Sequence, residues 1–328
     1  MANWGFLGAG SIAGSSLAPA VHACRGATLH SVASAGPERA RALRPLRTHT
    51  SYQELLDDED VEIVYVALHN SAHRRWAERA LLAGKHVLCE KPLGLSAAEV
   101  DAMIDTSART GRLLVEAAWN RWHPRTRAME DLLAAGSVGT VTEVTARFDG
   151  LAPAPGNYRH DPALGGGALY DVGYYAVSAT LAAFGWRTPR VTRAVQEYWY
   201  PGSADRAAAF RLEFPGRGSA EIRCSLVGDV AEEFTVTGTA GVLGLSAPAF
   251  CAGAAPSRLT GGDGVTRVFP AVDPYRLMVQ AVEDAVAGRP HHLVPLEQTR
   301  AVAATLDAVR SACGPAPVGV GAANGPLG

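Results

Sequence analysis

Residues 88–94 read LCEKPLG, a lysine set between a glutamate and a proline directly after a short apolar run. A lysine at a strand end is ordinarily a solvated surface residue. Here KHVLCE (85–90) carries it to the carboxyl edge of a strand, where open α/β sheets bind their ligands. An ammonium at that edge can stabilise negative charge developing on a substrate oxygen. Pro92 fixes the turn and removes one donor. Further on, GNYRHDPALGGGALYDVGYY (156–175) places three glycines before a helical stretch. Along that stretch Asp171 and Tyr175 are four apart, hence on one face. An apolar helix accounts for Ala168, Leu169 and Val172 but not for a carboxylate and a phenol stacked behind a flexible loop. Lys91, Asp171 and Tyr175 are therefore the candidate catalytic groups.

A second pattern concerns phosphate. Gly8-Ala9-Gly10-Ser11-Ile12-Ala13 is a GxGxxA run between a strand and a helix. Gly8 permits the tight turn, and Gly10 lets the backbone approach a pyrophosphate. The small Ala13 lets the helix pack on the strand with its N-terminus facing negative charge. An NAD site would carry an acid at the end of the second strand to accept from the ribose 2′-OH. That strand instead runs into Ser34, Ala35 and Gly36, with Arg39 and Arg41 just beyond. No carboxylate there repels a 2′-phosphate, so NADP(H) is favoured over NAD(H), although solvation accounts for the arginines equally well.

The elements that must hold these groups alternate over the first 120 residues. WGFLGA (4–9), ATLHSVAS (27–34), VEIVYVAL (61–68), KHVLCE (85–90) and RLLVEAA (112–118) read as buried strands, with helices over 71–84 and 96–111. This pitch implies a parallel, doubly wound sheet. After a helix at 124–135 come TVTEVTARF (140–148), AAAFRLEF (207–214), SAEIRCSLV (219–227) and EFTVTGT (233–239), an open, mainly antiparallel sheet, then helices at 274–288 and 297–314. The fold class is thus α/β: a Rossmann domain over 1–121 and an α+β domain over 122–328. The tail after residue 314 reads as loosely ordered.

Composition narrows the partners. The chain has 328 residues, 48% of them hydrophobic, with a net charge of −2. That balance disfavours a nucleic-acid partner, and no apolar run approaches a membrane span. The five cysteines show no zinc spacing and read as reduced thiols of a cytoplasmic protein.

The sequence resembles the Gfo/Idh/MocA oxidoreductases (glucose–fructose oxidoreductase, inositol dehydrogenase and relatives) over nearly its whole length. The resemblance rests on GAGSIA, AGKHVLCEKPL (83–93), GGGALYDVGYY (165–175) and a closing pattern around Asp273, Gly288 and Glu297. It implies that Lys91 is the active-site lysine, Asp171 a substrate-side acid and Glu90 a cofactor contact. Tyr175 stands where many members carry histidine, and members with tyrosine here resemble the deoxysugar 3-ketoreductases and dihydrodiol dehydrogenases more than the inositol or glucose dehydrogenases. A phenol is protonated at neutral pH and suited to donate a proton, and a neighbouring Lys91 is expected to bring its pKa down.

LHNSAH (68–73) supplies Leu68, Asn70 and His73 as expected cofactor contacts, with helix capping an equal reading for Asn70. Asn120 and Arg121 are expected to line the cleft, whereas Trp119 and Trp122 read as packing. Tyr158, Arg159 and His160 are substrate-loop candidates, Tyr158 foremost.

The expected activity is metal-free, reversible hydride transfer between a nicotinamide and a secondary alcohol or ketone, best a sugar or nucleotide-(deoxy)sugar ketone. A dehydrogenase of a cyclic diol, free sugar or inositol is the alternative. A dinucleotide-binding regulator is the outlier, since it would have lost Lys91 or the proton donor. A sheet face bare of helices is expected to be apolar and to build a homodimer or homotetramer.

Overall fold

The computed structural model describes residues 2–253 and 255–314, so the expected loose tail lies outside the described residues. Six strands form the first sheet: β1 (Ala2–Leu7), β2 (Ala27–Ala33), β3 (Arg47–His49), β4 (Ile63–Val66), β5 (His86–Cys89) and β6 (Leu114–Glu116). All pair in parallel, in the order β3-β2-β1-β4-β5-β6. Their apolar runs are buried on both faces, as β4 shows with all four residues buried. The crossovers are helical: α1 (Ala18–Ala23, entered through a π-helical turn at Ala13–Leu17), α2 (Pro37–Ala42), α3 (Tyr52–Asp57), α4 (His73–Leu82) and α5 (Ala97–Thr110). Ser96 caps α5 by accepting from Glu99 N at 3.2 Å, while the Glu99 carboxylate accepts from Leu95 N at 2.8 Å.

After α6 (Pro124–Ala134) the chain builds an eight-stranded sheet from β7 (Val141–Asp149), β8 (Arg190–Tyr198), β9 (Asp205–Phe214), β10 (Gly218–Ser225), β11 (Ala231–Gly238), β12 (Gly241–Leu245), β13 (Ser257–Thr260) and β14 (Thr266–Phe269). Their order is β14-β13-β12-β11-β7-β10-β9-β8, and only β7 and β10 run parallel. One face buries Val144, Phe148, Phe210, Ile222, Phe234 and Val236 beneath α7 (Tyr174–Ala183) and its entry turn.

The other face departs from the sequence-based expectation. It is charged rather than apolar, because the alternating positions are Glu143, Thr145, Arg147, Glu221, Arg223, Glu233 and Thr235. Arg211 pairs across the strands with Glu221 at 2.6 Å and Arg147 with Glu233 at 3.6 Å. Exposed apolar side chains on this sheet, such as Val195, Val242 and Val268, are scattered on outer strands.

Helices α8 (Pro274–Val286) and α9 (Leu296–Cys313) return to the first domain. Trp4 Nε1 donates to Glu283 on α8 at 2.6 Å, and Arg300 on α9 grips Asp101 on α5 at 2.6 and 3.0 Å. Among the described residues no helix is long and apolar enough to cross a membrane.

Candidate active site

The two domains enclose a cavity of about 660 Å³. At its Rossmann end, β1 runs into a turn at Gly8 whose φ is +101°. A Cβ there would stand 2.3 Å from the Ala67 carbonyl oxygen, so only glycine lets β1 and the end of β4 come together. Nothing lies within 4 Å of where a Gly10 Cβ would be, which leaves its backbone open to the cavity. The helical segment that begins at Ser11 points its N-terminus at this space. Ser34 sits buried at the end of β2 and accepts from Gly36 N at 3.2 Å. The Arg39 guanidinium lies over Gly36, and both Ser34 and Arg39 line the cavity. Arg41 is instead exposed and paired with Glu38. A tight glycine turn, an open Gly10, a helix start and a carboxylate-free strand end fit a dinucleotide.

The chemical end is built from two turns. After β5 the chain passes through Glu90, Lys91 and a cis bond to Pro92. Glu116 at the end of β6 holds this turn, accepting from Leu93 N at 2.9 Å and from the Tyr174 hydroxyl at 2.7 Å. Glu90 accepts from the Tyr65 hydroxyl at 2.6 Å. Burial raises its carboxyl pKa, opposed by that bond and by Lys91. Opposite, a π-helical turn over Leu169–Gly173 leads into α7 and turns Asp171 and Tyr175 toward Lys91. Gly166 is needed for the loop ahead of it: a Cβ there would meet the Tyr158 and Arg159 carbonyl oxygens at 2.6 Å. Asn70 ties this loop to the Rossmann domain by donating to the Gly165 carbonyl at 2.7 Å.

Charges meet at Asp171. Lys91 Nζ donates to its carbonyl at 2.8 Å and to Oδ1 at 3.3 Å. Arg159 grips the same carboxylate through Nε at 2.6 Å and Nη2 at 3.1 Å. Burial alone would raise the Asp171 carboxyl, but Lys91 and Arg159 outweigh it and hold it below the usual carboxylate range. The Tyr175 hydroxyl accepts from Trp119 Nε1 at 2.9 Å, and among the described residues no acceptor takes its own proton.

The expected lowering of the Tyr175 pKa is overturned. Burial pushes the phenol well up, with Cys251, Tyr275, Glu90 and Asp171 adding to the rise. Lys91 Nζ stands 4.8 Å over the ring centroid without a hydrogen bond to the hydroxyl, and it is paired with Asp171 at 3.3 Å.

Most of the sequence-derived candidates share this cavity: Gly8, Gly10, Ser11, Ile12, Ser34, Arg39, Leu68, Asn70, Glu90, Lys91, Tyr158, Asp171 and Tyr175. Three do not. His73 is fully buried behind the wall, its ring nitrogens 2.9 and 3.1 Å from the Pro92 and Leu68 carbonyl oxygens. Asn120 is buried away from the cavity, and Arg121 pairs with Glu130 at 3.0 Å beneath the Trp186 ring. Conversely, Trp119 does more than pack, since it lines the cavity and stacks on Tyr275 with centroids 4.9 Å apart. Tyr52, Phe148, Cys251 and Tyr275 complete the wall with no signal in the sequence beyond their apolar surroundings.

Comparison with known proteins agrees with this architecture. Residues 2–117 match the family described as "Oxidoreductase family, NAD-binding Rossmann fold", and residues 126–244 match the "GFO/IDH/MocA C-terminal domain". A D-xylose 1-dehydrogenase (NADP(+)) of Haloferax volcanii is 34% identical over 93% of this chain and 95% of its own. The trans-1,2-dihydrobenzene-1,2-diol dehydrogenase of Oryctolagus cuniculus is 35% identical over 67% of this chain and 68% of its own. Among solved structures, KijD10, a 3-ketoreductase from Actinomadura kijaniata in complex with NADP and TDP-benzene, superposes with a TM-score of 0.86 at 26% identity, covering 94% of this chain and 97% of that one. KijD10 has also been solved as a tyrosine-to-phenylalanine variant and, separately, as a lysine-to-alanine variant, at two positions spaced in sequence as Tyr175 and Lys91 are. The chain belongs to the Gfo/Idh/MocA family and is an oxidoreductase acting on CH–OH groups, with an NAD(P)-binding Rossmann domain.

Proposed function

We propose that the chain is an NADP(H)-dependent reductase of a sugar or nucleotide-(deoxy)sugar ketone. The observation that carries this reading is the meeting of Lys91, Asp171, Arg159 and Tyr175 in the cavity that also holds the Gly8 turn. Gly8, Gly10, Ser11 and Ile12 would hold the pyrophosphate, Ser34 and Arg39 the 2′-phosphate, and Leu68, Asn70 and Glu90 the nicotinamide half. When bound, the nicotinamide supplies the hydride for reduction or accepts it for oxidation. Lys91 polarises the substrate carbonyl and stabilises charge on its oxygen. Tyr175, held from behind by Trp119, donates the proton to that oxygen. Asp171, fixed by Arg159, orients substrate hydroxyls, with Tyr158 on the adjacent wall. A phenol whose pKa is pushed up stays protonated at neutral pH, which suits reduction better than oxidation. The spacing shared with the replaced lysine and tyrosine of KijD10 supports the pairing.

A second reading, oxidation of a cyclic diol or free sugar, is supported by the similarity to the xylose and dihydrodiol dehydrogenases. The deciding experiment follows nicotinamide absorbance with NADPH and a panel of keto-sugars and nucleotide-linked keto-sugars, and with NADP⁺ and D-xylose or dihydrodiols. Turnover of the first set alone supports the reductase. Turnover of the second set alone supports the dehydrogenase, and binding without turnover the regulator. We further propose a cytoplasmic homodimer or homotetramer joined through the eight-stranded sheets, part of whose charge is already paired in-plane. A sedimentation mass at the 34.3 kDa monomer value would sink the assembly.

A further inference from the structure

A second cluster of ligating side chains lies away from the cavity, at the β3 edge of the Rossmann sheet. His30 comes from the middle of β2, beside β3, while Asp58 and Asp60 come from the turn between α3 and β4. One nitrogen and two carboxylate oxygens from these three residues lie within 4.8 Å of one another. His30 is 7% exposed, and its Nε2 is buried without a hydrogen bond, although Asp58 Oδ2 is 3.3 Å and Asp60 Oδ2 3.8 Å away. A second imidazole, His49 from the end of β3, brings its own unpartnered Nε2 to 3.8 Å from the same Asp58 oxygen.

Buried polar atoms almost always find a hydrogen bond. The His30 nitrogen, buried between two carboxylate oxygens without bonding either, has the spacing of ligands around an ion. A tetrahedral zinc with bonds near 2 Å keeps its ligand atoms about 3.3 Å apart. The supporting contacts of a metal site are also in place. Asp60 N donates to Asp58 Oδ1 at 3.1 Å, and Ser31 Oγ donates to Asp58 Oδ2 at 3.2 Å. Lys85 Nζ pins the turn by donating to the Asp58 and Val61 carbonyls at 2.8 Å each.

Other charges face the cluster. Glu54 Oε2 is 3.7 Å from His49 Nδ1, on the side away from Asp58. Arg47 Nη1 stands 3.4 Å from both Asp58 and Asp60 and is about half exposed. It supplies the positive charge that an ion would otherwise bring, and it has solvent to swing into.

We propose that His30, Asp58 and Asp60, with water as a fourth ligand, form a binding site for a divalent transition ion of the zinc class. Mixed imidazole and carboxylate donors suit zinc or cobalt better than calcium or magnesium. The ion would staple the β2–β3 edge to the α3–β4 turn, take no part in hydride transfer, and displace Arg47.

Calorimetric titration of the full chain, stripped by a chelator, with Zn²⁺ and with Co²⁺ tests this. The exposed pair His291 and His292 is first replaced by alanine in every sample to remove a competing surface site. One equivalent should bind per chain, and Co²⁺ should develop the visible absorption of tetrahedral coordination. His30→Ala should abolish binding. Asp60→Asn should weaken it at least tenfold while leaving the metal-free melting temperature unchanged, since Asp60 is largely exposed. Arg47→Ala should tighten binding severalfold, because the ion no longer competes with a guanidinium. Absence of a one-equivalent site, binding indifferent to Asp60→Asn, or weaker binding in Arg47→Ala overturns the proposal.

Discussion

Replacing Tyr175 with phenylalanine separates a chemical role from a packing role. The ring keeps its neighbours, with centroids of Trp119, Phe148 and Tyr174 at 6.0, 5.5 and 5.6 Å. Only the hydroxyl is lost, and with it the acceptor of the Trp119 Nε1–H at 2.9 Å. Both residues are buried, so the orphaned indole N–H should cost about 1–3 kcal/mol of stability. Trp119→Phe removes the donor instead and leaves the hydroxyl free to turn into the cavity. The double variant has neither partner, so it should be less destabilised than the two singles summed, by about 1 kcal/mol. Catalysis should follow a different pattern. A positioned general acid is worth roughly 10²–10⁴ in rate, or about 3–5 kcal/mol, more than the hydrogen bond can account for. Tyr175→Phe should therefore lose that factor with cofactor affinity unchanged, whereas Trp119→Phe should lose on the order of tenfold. Urea midpoints, NADPH fluorescence titration and steady-state rates measure the three quantities. A Tyr175→Phe enzyme within a few-fold of the parent would refute the assignment and pass the proton to Tyr158 or water.

The remaining predictions concern charge. Ala35→Asp places a carboxylate at the exposed end of β2, so NADPH should bind roughly tenfold or more weakly while NADH binding holds or improves; an unchanged ratio of affinities would show that the 2′-phosphate lies elsewhere. Arg159→Ala removes two charge-assisted bonds to Asp171, and kcat/KM should fall roughly tenfold to a hundredfold. Arg159→Lys should not restore it, because an ammonium cannot grip both oxygens; full rescue by lysine would reduce the role to charge alone. Asp205 is buried where it accepts from Leu169 N at 2.9 Å, and burial pushes its pKa up to about 6 against the pull of that amide. The folded state therefore holds this proton more tightly than the unfolded chain, near 3.9. The resulting stability is complete below about pH 4 and is lost as pH rises through about 6, by about 3 kcal/mol. Asp205→Asn should flatten that part of the melting profile, and an unchanged slope would exonerate Asp205.

What could be read from the sequence were the features that local chemistry dictates. The Gly8 turn and the strand-end position of Lys91 follow from residue type and register over a dozen residues. Asp171 and Tyr175 follow from one helical repeat, even though the turn that presents them is π-helical. The short β3 was missed because Arg47–His49 has no apolar alternation and is held by its pairing with β2 alone. The polar outer sheet face was legible in TVTEVTARF, whose alternate Glu143, Thr145 and Arg147 point away from Val144, Ala146 and Phe148. That alternation leaves no room for the apolar surface expected on this face. His73 and Trp119 failed differently, because their surroundings come from afar. A histidine at a helix start can face a ligand or two carbonyls, and a tryptophan in an apolar stretch looks the same whether or not a phenol waits 56 residues on.

The Tyr175 pKa moves against expectation even though Lys91 and Tyr175 do meet in the cavity. Coulomb tuning of a phenol needs the cation near the oxygen and free of other partners. Lys91 lies over the ring without a hydrogen bond to the hydroxyl, and its charge is shared with Asp171, which also answers to Arg159. Desolvation then dominates, and it acts in the opposite direction. The consequence is functional, since a phenol kept protonated carries the proton that reduction needs but cannot take up the proton that oxidation releases. Oxidation by the same site would need the phenolate, so its rate should climb with pH well past the range in which reduction is already at its plateau. Rate profiles in the two directions that rise and fall together would mean that Lys91 moves to the hydroxyl once the cleft is filled.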